Sequence, residues 1–244
     1  MATFDWDRFE GVLFDLDGVL TPTARVHASA WKRTFDAVLE DLTGPDFQPF
    51  DADEEYRRYV DGRPRYDGVA TFLESRNIHL PRGDRSDPPG YDTVCAIGNL
   101  KNTLITRVIA EEGVEAYPGS LALLDHLESL AGMRLAVVSA SANALAVLEA
   151  AAMRARFPVI VDGVVARELG LAGKPEPDPF LEAARRLGVD PANAVVLEDA
   201  VAGVEAGVAG GFGAVIGVDR HSDPGPLWEA GADVVVEDLA ELLP

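Results

Sequence analysis

Two aspartates one residue apart, Asp15 and Asp17, close the apolar run GVLFDLD at 11–17, and Gly18 follows them. Side chains at i and i+2 of a strand point to one face, so the pair can address one space. The glycine then lets the backbone turn sharply away. The run RLAVVSAS likewise ends in Ser139 and Ser141, the run NAVVLEDA ends in Glu198 and Asp199, and Lys174 sits in the loop LAGKPEPDP. Ligands of open α/β sheets bind beyond the carboxyl ends of the strands, so parallel neighbouring strands would gather these groups. Four carboxylates in one crevice repel, each close pair by about 4 kcal/mol at ~4 Å and an effective dielectric of ~20. One lysine does not balance them; a hard divalent cation with oxygen ligands, Mg²⁺, does. Metal and lysine together attract a phosphoryl group, and one carboxylate can then act as nucleophile and form an aspartyl-phosphate.

Taken singly, each group has a plainer use. Asp17-Gly18 suits a turn, and Ser139 or the Glu198-Asp199 pair suits a helix cap. A non-catalytic receiver-like domain would also collect acids, a serine and a lysine at its strand ends. It has no use for a second aspartate as proton shuttle or for a large insertion. The combination with Lys174 favours a phosphoryl-transfer site.

The elements that must position these groups are read from periodicity. Short β-branched runs at 11–17, 134–141, 193–200, 213–219 and 232–238 alternate with Ala/Leu-rich stretches at helical spacing. Near-continuous apolar strands separated by helices predict a parallel sheet covered on both faces, a doubly wound, Rossmann-like α/β core. Residues 28–113 break the rhythm. They offer helices at 24–42, 52–60, 65–76 and 99–112 and a Pro/Gly/Asp-rich loop, IHLPRGDRSDPPGYD. The expected organisation is a core of 1–27 and 114–244 with an inserted helical cap of 28–113.

Acidic residues outnumber basic ones 41 to 21 in the 244 residues, a net charge of −20. With no basic cluster, such a surface repels nucleic acid and anionic lipid, so neither is an expected partner. No apolar run approaches the roughly 20 residues that span a bilayer, and the acidic start MATFDWDRFEG does not resemble a signal peptide. The single cysteine, Cys95, excludes an internal disulfide and fits a reducing cytoplasm; its expected use is small apolar filler.

The motifs resemble those of the haloacid dehalogenase-like phosphotransferases across nearly the whole chain. FDLDGVLTPT is similar to the first motif, VVSAS to the second, GKPEPDPF to the third and VLEDAVAGVEAG to the fourth. The resemblance implies Asp15 as nucleophile, Asp17 as general acid/base, and Ser139 and Lys174 as holders of the transferring phosphate. It places Mg²⁺ on Asp15, the Asp17 carbonyl and Asp199, with Glu198 in support. Within that superfamily the chain resembles the β-phosphoglucomutase-like family. TPTARVHASAWK, VDGRPR, LKN and SASAN are similar to its substrate-side segments, which implies substrate contacts for His27, Gly62, Arg65, Lys101, Ser141 and Asn143. Trp31 is expected to pack, and Asn102 stands beside Lys101 on the substrate side. Pro22 replaces an acidic residue and Ala142 a lysine, and the 78–92 loop is longer than in compact relatives.

The activity so implied is Mg²⁺-dependent interconversion of β-glucose 1-phosphate and glucose 6-phosphate by a cytoplasmic monomer. Its alternative is a sugar-phosphate phosphatase of the same fold.

Overall fold

The structure is a computed structural model and describes residues 4–244. Met1 to Thr3, part of the 1–27 segment expected in the core, lie outside the described residues. The chain forms two compact units, one of residues up to Pro22 with Val114–Pro244 and one of Thr23–Gly113.

In chain order, strand β1 (Gly11–Phe14) precedes the helices α1 (Thr23–Thr43), α2 (Glu54–Tyr59), α3 (Arg65–Ser75) and α4 (Val94–Glu112). Then follow α5 (Pro118–Ser129), β2 (Arg134–Val138), α6 (Ala144–Ala150), β3 (Val159–Val161), α7 (Gly163–Leu169) and α8 (Asp178–Leu187). The chain ends with β4 (Ala194–Glu198), α9 (Val201–Ala209), β5 (Ala214–Val218), α10 (Gly225–Glu229) and β6 (Val234–Val236).

The six strands form one sheet in the order β3-β2-β1-β4-β5-β6, and every pairing is parallel. Every residue of β1, β4 and β5 is buried, as expected where helices cover both faces of a parallel sheet. Leu13, Val138, Val196, Phe180 and Val204 share one core cluster of strand and helix side chains.

Five of the strands are those read from the sequence, each shortened by two to four residues. β3 is the addition: its three residues, VIV between Pro158 and Asp162, are too short to register beside the helical pattern before them. The strand at 11–17 ends at Phe14, so Asp15 and Asp17 are not strand partners on one face. Asp15 still extends the ladder, its amide donating to the Leu197 carbonyl at 2.9 Å. Asp17 instead makes an isolated bridge with Thr21 in the turn that follows.

The second unit contains no strand among the described residues. Its core is aromatic: Phe35 packs on Trp31, Phe50 and Phe72 with ring centroids 4.9, 4.9 and 4.1 Å away. The boundary falls after Pro22 rather than after residue 27, because α1 already begins at Thr23 and carries His27 in its first two turns. α4 begins at Val94, five residues before the expected start. Thr93 caps it, accepting the Ala96 amide at 2.9 Å. Cys95 is buried in that first turn, the filler place expected of it.

The 78–92 loop holds itself in place. The Asp87 carboxylate accepts from Thr93 and from the Asp84 amide, and the Asn99 side chain donates to the carbonyls of Arg85 and Asp87. No helix among the described residues is long and apolar enough to cross a membrane.

Phe35 sits at the centre of the aromatic cluster. Phe35→Ala should therefore cost about 3–5 kcal/mol, read as a lowered urea midpoint by tryptophan fluorescence.

Candidate active site

The register of the central strands brings the polar groups to one level. Phe14 lies opposite Val137 of β2 and Leu197 of β4, so Asp15, one residue on, is level with Val138 and Glu198. The Ser139 amide extends β2 by donating to the Val161 carbonyl at 3.0 Å.

At this level Lys174 reaches into the core and donates to the carboxylates of both Asp15 and Glu198. All three residues are buried. Oxygens of Asp15, Glu198 and Asp199 lie within 4.8 Å of one another. Thus four of the residues named from the sequence meet in one place.

Burial and mutual repulsion set the charges. Burial alone would lower the Lys174 ammonium, but Asp15 and Glu198 outweigh it and raise it above the ordinary lysine range. Burial pushes Glu198 up to about 7; Lys174 pulls against that shift and Asp15 adds to it. One ammonium does not fully compensate two buried carboxylates, and Asp199 adds a third acid beside them.

The donor set fits a hard divalent cation. It is all oxygen and net negative, and its atoms converge from two neighbouring strand ends. Asp15 and Asp199, with Glu198 shared with Lys174, are the side chains that could hold Mg²⁺. The Asp17 carboxylate is not part of this cluster, and the resemblance asked only for its carbonyl.

Two glycines let the acids come so close. A β-carbon on Gly18 (φ +91°) would lie 1.7 Å from an Asp199 oxygen, and one on Gly203 1.8 Å from a Glu198 oxygen. Glu198 also accepts the Ala200 amide at 2.9 Å, so it shapes the turn into α9 as well as meeting Lys174.

Ser139 is not a helix cap. Its hydroxyl accepts the Ser141 amide at 3.1 Å, and the Ser141 hydroxyl accepts the Asn143 amide at 3.1 Å. These two serine turns shape the loop that leads to α6, which starts only at Ala144.

The remaining sequence-predicted residues belong to the helical unit. Lys101 is buried, with its ammonium 2.9 Å from His27 Nδ1 and 4.9 Å above the Trp31 ring. An ammonium only donates, so a hydrogen bond from it needs His27 Nδ1 as the acceptor. Burial, followed by the charges of Lys101 and Arg65, holds the His27 imidazole well below its ordinary value of 6.5. Trp31 packs as expected, stacked on Phe35. Arg65 opens α3 and donates to Asn102 Oδ1 at 2.6 Å, and Gly62 takes a positive φ of 67° in the preceding turn. The helical unit thus brings His27, Arg65 and Lys101 into one linked group.

Missed from the sequence was Arg220, which donates to the Gly18 carbonyl at 2.7 Å. It stands two residues past β5, and nothing local distinguishes it from a solvated arginine.

A family model described as haloacid dehalogenase-like hydrolase matches residues 9–211. The chain belongs to the haloacid dehalogenase-like hydrolase family. Among its relatives, a protein named β-phosphoglucomutase from Mycobacterium tuberculosis (strain CDC 1551 / Oshkosh) is 46% identical over 97% of this chain and 92% of its own length. Hexitol phosphatase A of Escherichia coli (strain K12) is 31% identical over 96% of this chain and 94% of its own. The crystal structure of CbbY from Rhodobacter sphaeroides, a mutant in complex with xylulose-(1,5)bisphosphate, is similar at a TM-score of 0.71 and 30% identity. It covers 96% of each chain. The chain is therefore an enzyme of the phosphatase and phosphomutase kind, and its sheet and motif order are those the resemblance implied.

Two predictions follow from the charges. Lys174→Met leaves two buried acids facing each other and should cost about 3–5 kcal/mol of unfolding free energy at pH 8. The loss should be smaller at pH 5, where Glu198 binds a proton, and partly recovered on adding Glu198→Gln, as a double-mutant cycle in urea would show. For His27 the folded imidazole binds its proton less readily than the unfolded one. Its contribution is thus present above pH 6.5 and lost as the pH falls below it. Thermal melts from pH 8 to pH 5 should drop more steeply for the parent than for His27→Asn.

Proposed function

We propose that this enzyme is a Mg²⁺-dependent phosphomutase that interconverts β-D-glucose 1-phosphate and glucose 6-phosphate through an aspartyl-phosphate on Asp15. The observation that carries the reading is the buried convergence of Lys174 with Asp15 and Glu198 beside Asp199. The 46% identity to a protein named β-phosphoglucomutase supports the choice of substrate.

A carboxylate oxygen of Asp15 is the nucleophile. It takes the phosphoryl group from a sugar bisphosphate, and the departing sugar oxygen receives a proton from Asp17. In the return step Asp17 removes a proton from a sugar hydroxyl, which attacks the aspartyl-phosphate and frees Asp15. The two steps act on different oxygens of the sugar, so phosphate moves between its 1 and 6 positions with no net loss. Such proton transfer contributes about 10²–10⁴-fold.

Lys174 is placed to neutralise charge on the transferring group while keeping Asp15 ionised, and Ser139 to donate its hydroxyl to that group. Mg²⁺, held by Asp15, Asp199 and the Asp17 carbonyl with support from Glu198, would supply a fixed positive charge against the phosphoryl oxygens. For the sugar phosphate we assign Ser141 and Asn143 in the serine loop and His27, Gly62, Arg65 and Lys101 of the helical unit. With Ala142 in place of a lysine, the grip on the non-reacting phosphate leans on Arg65, Ser141 and Asn143.

A second reading is hydrolysis of the same aspartyl-phosphate, which the relative named hexitol phosphatase A favours. One assay separates the two. Given β-glucose 1-phosphate, Mg²⁺ and a trace of the bisphosphate, the mutase forms glucose 6-phosphate with little inorganic phosphate. Stoichiometric phosphate release without the isomer would establish the phosphatase instead. Asp15→Asn should abolish either activity, and Asp17→Ala should lower it by about 10²–10⁴-fold.

A further inference from the structure

Arg220 has no part in the chemistry set out above, yet its guanidinium is engaged on three sides. Nε donates to the Gly18 carbonyl at 2.7 Å, and Nη1 donates to the Glu237 carbonyl, just past β6, at 2.8 Å. The guanidinium carbon lies 3.9 Å from the centre of the Tyr117 ring. Tyr117 in turn donates its amide to the Leu20 carbonyl at 3.0 Å. A single side chain thereby joins the turn after the two aspartates, the exit of β6 and the segment that leads into α5.

The turn it holds backs the acidic cluster. Gly18 lies at φ +91°, a region open to glycine and rarely to other residues, and the Asp199 carboxylate rests against its α-carbon. The Gly18 amide is fixed by the Thr21 carbonyl at 2.7 Å, which sets the peptide plane before it. Arg220 fixes the carbonyl, and with it the plane after. Without Arg220 only the plane before the glycine is held, and the turn that carries Asp17 and backs Asp199 loses one of its two restraints.

Lysine is no equivalent at this position, because a fork that spans two carbonyls while sitting over a ring is particular to arginine. The Nη2 nitrogen is buried with no hydrogen-bond acceptor among the described residues. A donor left in that condition costs free energy, which a residue kept for stability alone would avoid.

We propose that Arg220 is a positioning residue for phosphoryl transfer: it fixes the Asp17–Gly18 turn and so the placement of Asp17 and Asp199. The inference rests on the Asp15-centred reading above. Its mechanism is geometric, since displacement of a reacting group by about 1 Å costs on the order of 10²-fold.

The test uses the full chain with Arg220→Met and Arg220→Lys. Three quantities are read: kcat and KM with β-glucose 1-phosphate, the dissociation constant of Mg²⁺ alone by calorimetry, and the melting temperature. Arg220→Met should lower kcat by about 10²-fold and weaken Mg²⁺ by about tenfold, with KM changed by less than about threefold. Arg220→Lys should fall between parent and Arg220→Met in both kcat and Mg²⁺ affinity.

The proposal is overturned if folded Arg220→Met keeps kcat and Mg²⁺ affinity within about twofold of the parent. It is equally overturned if only the melting temperature falls while activity per folded molecule is unchanged. Should Arg220→Met fail to fold, Arg220→Lys decides: parental kcat and Mg²⁺ affinity sink the idea, and loss of both at a parental melting temperature upholds it. Full activity in Asp15→Asn would instead refute the underlying reading, whereas the Mg²⁺ titration of the Arg220 variants bears on Arg220 itself.

Discussion

A lysine ammonium buried between two carboxylates is the interaction on which the rest of this molecule depends. Removing three charged groups from water is costly, and the cost is met only if they touch. Lys174 comes from the loop before α8, Asp15 from the end of β1 and Glu198 from the end of β4. Their contact therefore requires β1 and β4 to be neighbours in the right register, with the loop returning to their carboxyl ends. The parallel ladder that pairs Phe14 with Leu197 meets that requirement. Charge and topology are then one constraint. The sheet places the acids side by side, and the lysine makes their proximity tolerable.

The same economy appears around the cluster. Gly18 and Gly203 are where side chains would collide with Asp199 and Glu198, so absent β-carbons make room for acids. The helical unit solves a different problem with similar means. There Lys101 is buried beside a histidine and over the face of a tryptophan.

Much of this could be read from the sequence, for identifiable reasons. The core strands announced themselves because a doubly covered parallel sheet needs unbroken apolar runs, and AVVLE or AVIGV cannot easily serve another purpose. Asp15, Glu198 and Asp199 were legible because reactive groups at the ends of neighbouring parallel strands are brought together, and Lys174 because such acids call for a cation from a nearby loop. Their spacing within the chain carried less information. Asp15 and Asp17 were expected to share a strand face, whereas the strand stops at Phe14 and Asp17 occupies a turn. β3 escaped because three residues cannot display a period. The start of α4 was misplaced because Thr93 caps it from within what read as loop. Arg220 escaped for a deeper reason: its partners are two backbone carbonyls and a ring drawn from positions 18, 237 and 117, and carbonyl acceptors leave no trace in a sequence.

The serine loop carries one more implication. Each hydroxyl there already spends its oxygen on a main-chain amide, Ser139 on residue 141 and Ser141 on residue 143. Such an alcohol still has its hydrogen to donate, alongside one remaining lone pair. The loop past β2 can thus donate protons, while the acids past β1 and β4 supply lone pairs shared with one ammonium. A visitor that is anionic on its outer atoms and electrophilic at its centre matches both at once, while a bare cation matches only the acids.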